Sequence, residues 1–415
     1  MESITVPRSE AAWLEAHDLP SVVPAKRSSD HGLCRKNPFL YYLVRRLQLK
    51  TSLDWSPALN RGSWFHHRMA LFDDGPSDVE RKLLKIFSDV SSTITTNAHA
   101  AGVDPAPLIE REKNDLDIAS AWWDTACCKV PISKNHGTLE EYLQKDCWTN
   151  LGTELLAVFD DGKMRNVAQL DLLFYNEVTN TLWIIDGKTT AMPPRQRLST
   201  CTIEFQTLHY MWVVKMLLKI GFLQVRFGLP KNVTLGGMMH VAILKCPLKF
   251  GREDRPFTEH DHVLKSGPRM GETEIRRTYT GEATYGHFIE RQQEWYTGTG
   301  RYTDRLAEVG HEPPVNISYS HAANVLDDKG TARYLQSAAV IEQFALVEPW
   351  PCNFPMNADE LRYQGGLSKY TPFFLLPVHF WPDIVKREGF VRIDRDVLIP
   401  ERGHAIIKTM EASQC

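Results

Sequence analysis

Two aspartates and a lysine stand close together in NVAQLDLLFYNEVTNTLWIIDGK, residues 166–188, and their types suit hydrolytic metal chemistry. Side chains alternate along a strand, so Gln169, Asp171 and Leu173 share one face of the run 166–175. Ile184, Asp186 and Lys188 share one face of the run 181–188 in the same way. With Glu177–Asn180 as the turn, position i pairs with 357 − i, which sets Asp171 opposite Asp186. Cross-strand Cβ atoms are about 4.5–5.5 Å apart, and two carboxylates that close repel unless a proton or a cation lies between them. An oxygen-rich pocket of this kind suits Mg²⁺ or Mn²⁺. Lys188, on the same face as Asp186, is placed to orient or deprotonate an attacking water. Two acids and a lysine also occur on plain solvent-facing hairpins, so this stretch alone leaves both readings open.

Further groups lie on either side. In Gly62-Ser-Trp-Phe-His66, helical spacing sets His66 one turn after Gly62, whose missing side chain lets another element approach. In Gln206-Thr-Leu-His-Tyr210, the first and last residues are neighbours on one helix face. Glu154, at the start of a strand-like run 154–159, could also reach the site, although an exposed acid at a strand start is the plainer reading.

In this order the elements resemble the RecB-like branch of the PD-(D/E)XK nuclease superfamily. That branch shows GxxxH, then an Asp in a strand, then (D/E)xK at the end of the next strand, then QxxxY on a following helix. The matching text is Gly62–His66, Asp171, Asp186-Gly187-Lys188 and Gln206–Tyr210, and the resemblance spans residues 34 to about 246. It implies that His66, Asp171, Asp186 and the backbone carbonyl of Gly187 hold Mg²⁺ or Mn²⁺. It further implies that Lys188 positions the attacking water, and that Gln206 and Tyr210 hold the DNA backbone near the scissile phosphate. There are two departures. Asp186 stands where the family often has Glu. Many RecB-like members also carry an iron–sulfur cluster on one Cys ahead of GxxxH and three near the C-terminus. Cys34, in LCRKNPFLYYLVRRL, matches the first, but Cys352 is alone where the trio would fall. A cubane needs four thiolates, so no iron–sulfur cluster is expected and Cys34 reads as a small buried hydrophobe.

The remaining sequence supplies the frame for these groups. Hydrophobic residues at 43% and charged residues at 24% are ordinary globular values for a 415-residue chain. The net charge of −3 excludes a generic polycation, so DNA contact must come from a local basic surface. No CxxC pair occurs, which argues against a zinc ribbon. The run Tyr210–Leu223 is interrupted by Lys215 and Lys219 and is too short to span a bilayer, so no membrane partner is expected. The N-terminal text has no apolar run of the secretory kind. The expected setting is the cytoplasm of a bacterial or phage-infected cell, at the nucleoid. Asp186-Gly187-Lys188-Thr189-Thr190 ends like a phosphate-binding loop, but that loop needs Gly at 182, which is Leu, so no ATP is expected.

Periodicity predicts helices over 37–50, 62–72, 204–219, 282–297 and 331–344, and a strand over 239–246. The stretch 76–149 reads as helical with a break at Asp104–Pro107. The expected fold class is α/β (α+β): a restriction-endonuclease-like core whose small mixed sheet is flanked by helices. The expected division is an arm over 1–30, a core over 31–250 with a helical insertion at 76–150, and an extension over 251–415 packed on the core. The expected function is a metal-dependent DNA nuclease, an exonuclease of replication, recombination or repair, working with a recombination or replication partner protein. The rivals are a non-catalytic DNA-binding scaffold that keeps the fold, and a restriction-type endonuclease.

Overall fold

The computed structural model describes residues 24–346 apart from 52–56, 101, 134–136, 146, 267, 269, 272 and 304–312. Beyond 346 it describes 362–363, 366–367, 373, 380–387, 390–392 and 406–407. Most of the 1–30 arm, and Cys352, therefore lie outside the described residues.

The helices are α1 (Asp30–Lys36), α2 (Pro57–Met69), α3 (Pro76–Ala100) and α4 (Ala106–Trp122). Three strands follow, β1 (Trp148–Asp160), β2 (Arg165–Asn176) and β3 (Thr181–Thr190), and then α5 (Pro194–Cys201), α6 (Phe205–Lys219) and β4 (Thr234–Leu244). Beyond these lie β5 (Phe257–Val263), β6 (Thr273–Tyr279), α7 (Tyr285–Thr297), β7 (Val315–His321) and α8 (Asp328–Leu346). No helix among the described residues is long and apolar enough to cross a membrane.

The central sheet is mixed. Strands β1, β2 and β3 form an antiparallel meander, β4 runs parallel to β3, and β7 closes the edge antiparallel to β4. A parallel neighbour needs a crossover, and α5 and α6 supply it between β3 and β4. Each face of the sheet is covered. On one face, Leu172, Phe174, Ile185, Met239, Val241 and Ile243 pack with residues of α2, α4 and α7. On the other, Leu173, Ile184 and Met238 pack with Leu208, Met211, Val214 and Leu217 of α6.

The sequence reading ends the core at 250, yet later and earlier segments contribute strands to this sheet. Val315–His321 pairs with β4, Ile406–Ile407 pairs with β1, and Lys26–Arg27 pairs in parallel with Asn166–Val167 of β2. The segment 37–50 is also broken up. A short helix over Pro38–Tyr41 widens to a π turn over Tyr42–Arg46, and Gln48, at φ +58°, turns the chain into the strand Leu49–Thr51. The stripe Phe39, Tyr42, Leu43 and Leu47 is buried as its spacing requires. Arg45 and Arg46 are buried too, and Arg45 is held by Asp30 at 2.6 Å.

Helix α6 departs from a one-sided amphipathic helix. Its interior is buried nearly all round, because α8 packs on the side away from the sheet and stacks Tyr334 on Trp212 at 4.9 Å. Glu204 begins it, and Gly221, at φ +74°, ends it with the left-handed turn that only glycine adopts without strain. The burial traps His209. Its Nε2 is 3.0 Å from the carbonyl oxygen of Val167, which can only accept, so Nε2 carries the proton. Nδ1 then accepts from the Tyr334 hydroxyl at 3.3 Å.

Burial lowers the pKa of His209 to about 4, with Lys26 and Arg27 adding to the effect and the Val167 contact opposing it. Below pH about 6.5 the unfolded chain binds a proton that the folded His209 refuses, so stability falls as pH drops from about 6.5 toward 4. The expected loss from this one group is roughly 3 kcal/mol. Urea unfolding of the parent and of His209→Gln at pH 7, 5.5 and 4 checks it: the variant should lack this component, and equal slopes in both proteins would refute the assignment.

Candidate active site

The ladder between β2 and β3 runs from Asn176↔Thr181 to Leu172↔Ile185, which is the register i ↔ 357 − i, and it stops there. Asp171 and Asp186 are the first residues past its end. Glu154 lies on the other side of Asp171. Its neighbours Thr153 and Leu155 pair with Leu172 and Leu170, so Glu154 is level with Asp171 on β1. Three acids from three adjacent strands thus stand side by side where the sheet opens.

The open end is filled from both faces. Helix α2 brings His66, whose Nδ1 is 3.1 Å from Asp171 Oδ2. The same oxygen accepts the backbone N–H of Gly187 at 2.8 Å, which anchors Asp171 to β3 without a side-chain partner there. A Cβ on Gly187 would meet Met69 Sδ at 2.9 Å, so α2 sits directly on this glycine. Gly62 differs from its expectation. Thr189 of β3 does approach it, but a Cβ there would find Thr189 Oγ1 at 3.6 Å, an ordinary contact that an alanine accepts.

On α6, Gln206 donates to Asp186 Oδ1 at 3.0 Å, and Lys188 donates to the same oxygen at 2.9 Å. The second oxygen of Asp186 faces His240 of β4, whose Nδ1 is 3.9 Å away and whose Nε2 is 2.9 Å from the Ser320 hydroxyl of β7. The structure therefore brings His66 and Asp171 together, and separately Asp186, Lys188 and Gln206. Tyr210, one turn after Gln206, feels the charges of Asp186, Lys188 and Asp171 and hydrogen-bonds Ser28.

Electrostatics follows from this crowding. Burial alone would raise the carboxyl pKa of Asp186, but the Lys188 ammonium and His240 outweigh it and hold the pKa below the usual carboxylate range. Burial likewise pulls against the Lys188 charge, and Asp186 with Asp171 more than restores it, so Lys188 is an ammonium and a donor rather than a base. Burial opposes the charge on His66 as well, yet Asp171 lifts its pKa to about 9, with Glu154 adding to the lift. Tyr210 is pushed up to about 12 by burial and by Asp186, so its hydroxyl stays protonated.

A divalent cation fits this donor set. His66, Glu154 and Asp171 each offer one ligand atom, and the three atoms lie within 4.8 Å of one another. His66 Nδ1 is buried without a well-formed hydrogen bond. An imidazole with carboxylate oxygens suits Mn²⁺, and the oxygens suit Mg²⁺.

The sequence marks Glu154 only as an acid that could reach the site, and it does not single out His240 at all. Glu154 is only 8% exposed and sits inside a 13-residue strand rather than at its start. His240 is buried in the apolar strand GMMHVAIL, and only its register, level with Asp186, marks it as a neighbour of the site. Cys34 is buried in a cluster with Phe39, Tyr41 and the distant Trp381.

The family model of the PD-(D/E)XK nuclease superfamily matches residues 30–255, the span that carries His66, Asp171, Asp186, Lys188, Gln206 and Tyr210. No curated protein matches the chain in sequence.

Proposed function

The chain belongs to the PD-(D/E)XK nuclease superfamily, and on that premise we propose that it is a metal-dependent deoxyribonuclease of the RecB-like branch, acting as an exonuclease in replication, recombination or repair. One observation carries the reading. Text separated widely in the sequence meets in two adjoining groups at the open end of the sheet, with His66 of GxxxH 3.1 Å from Asp171, Gln206 of QxxxY 3.0 Å from Asp186, and the Gly187 N–H joining β3 to Asp171 at 2.8 Å.

The proposed chemistry is hydrolysis of a DNA phosphodiester. A water oxygen bonds to phosphorus, the bond from phosphorus to the leaving sugar oxygen breaks, and that oxygen takes up a proton. A divalent cation held by His66 and the carboxylates would lower the pKa of a water and offset charge growing on the phosphate. Asp186 fixes Lys188 at 2.9 Å, so the ammonium is held ready to donate to the attacking water or to a phosphate oxygen. Gln206 and Tyr210 stand on the wall made by α6, where amide and hydroxyl donors suit phosphate oxygens. The overall charge of −3 supplies no general attraction to DNA, so affinity falls to such local contacts and to a recombination or replication partner protein.

The test is incubation of end-labelled linear DNA and closed circular DNA with Mg²⁺, Mn²⁺ or EDTA. The expected result is stepwise loss of the linear substrate with either metal, an intact circle, and no reaction in EDTA. Cleavage of the circle would replace the exonuclease reading by an endonuclease one. A folded protein that cleaves neither substrate with either metal would sink the nuclease reading itself.

A further inference from the structure

We propose that Glu154 is a ligand of the divalent cation, joining His66 and Asp171 where α2, β1 and β2 meet. The proposal rests on the reading of the site as a metal centre and adds to it a residue outside the GxxxH, Asp, (D/E)xK and QxxxY elements.

Position is the first argument. Glu154 is level with Asp171 across the β1–β2 ladder, and its carboxylate, that of Asp171 and the His66 imidazole can bring one ligand atom each within 4.8 Å of one another. The three come from three separate elements, so the meeting is not a run of neighbouring acids on one surface.

The second argument is the imidazole. His66 Nδ1 is buried and lies 3.1 Å from Asp171 Oδ2, without the angle of a good hydrogen bond. A neutral imidazole in that place offers its ring nitrogen to a cation shared with the two carboxylates. Metal-ligating groups are themselves held by outer hydrogen bonds, and Glu154 has one: Gln169 donates to its Oε2 at 2.8 Å.

Backbone cost points the same way. Glu154 has φ +48°, left-handed, just after the irregularity at Asn150–Gly152. A residue with a Cβ is disfavoured there, and Gly or Asn would serve a bulge better. The fold instead keeps a long acid, buried to 8% exposure, beside a second acid. A carboxylate retained against both strain and desolvation is accounted for by ligation.

Calorimetric titration of Mn²⁺ into the full-length protein without DNA tests this apart from activity. The parent should bind, and Glu154→Gln, which keeps the shape and can still accept from Gln169, should bind at least roughly tenfold more weakly, a loss typical even of groups that only support a ligand. Glu154→Asp, which keeps the charge but withdraws the carboxylate, should also weaken binding and so separates ligation from a general field. Parent-like affinity in either variant would overturn the role of Glu154 while leaving the metal centre in place. A parent that binds no Mn²⁺ would overturn the metal reading, and the proposal with it. If circular dichroism finds the Glu154 variants unfolded, Gln169→Leu carries the test: it should weaken Mn²⁺ binding several-fold, and unchanged affinity would overturn the proposal.

Discussion

Replacing Lys188 by alanine should abolish DNA cleavage, lowering turnover by roughly 10²–10³-fold or more, while the protein stays folded. The size is that of removing one preorganised donor aimed at developing charge. Lys188 is held on Asp186 Oδ1 at 2.9 Å and is kept charged by Asp186 and Asp171, so the lost group is an ammonium already in position. The fold tolerates the change because Asp186 keeps Gln206 at 3.0 Å and faces His240. Asp186→Asn and Asp171→Asn should fall as far by different routes. The first frees Lys188 from its anchor, and the second removes the carboxylate that faces His66 and accepts from Gly187. Single-turnover rates on labelled DNA, with melting curves for each variant, measure this. A folded Lys188→Ala protein with near-parent turnover would remove Lys188 from the mechanism.

The hairpin was legible in the sequence for a physical reason. Its turn text is short, both strands alternate, and a two-strand register has one free parameter, so Glu177–Asn180 sets Asp171 opposite Asp186. The helix carrying Gln206 and Tyr210 was legible as a helix. Its burial was not, since Tyr334 of α8, which covers it, lies far along the chain. Distance also hid β7, whose partner β4 is separated from it by the hairpin β5–β6 and by α7. Glu154 was legible as an acid that could reach the site, but its burial was hidden for a local reason. Alternation along 154–159 assumes a regular strand, and a left-handed residue after a bulge breaks the phase that the argument uses.

His66→Ala should shift the Mn²⁺ titration of activity to higher concentration, and His67→Ala should leave it nearly unchanged. The two imidazoles differ by about 100° around α2, and their surroundings differ accordingly. His66 Nδ1 faces Asp171 Oδ2 at 3.1 Å, whereas the His67 ring packs against Trp64 at 5.5 Å, on the side of α2 that meets the helical insertion. Trp64 is in turn fixed by Glu112 of α4 at 2.7 Å, so His67 belongs to the packing of α2 on α4. A cation must compete with the proton that Asp171 favours on His66, and losing the imidazole removes one ligand atom as well as that competition. The loss of a ligand outweighs the relief, since two carboxylates without the imidazole leave an incomplete set. A packing role for His66 would instead lower the melting temperature and leave the Mn²⁺ midpoint alone. The decisive comparison is therefore the midpoint, at least roughly tenfold higher for His66→Ala and parent-like for His67→Ala. Sensitivity at His67 in place of His66 would mean that α2 is set one residue out of register over the sheet, and the contact between His66 and Asp171 would go with it.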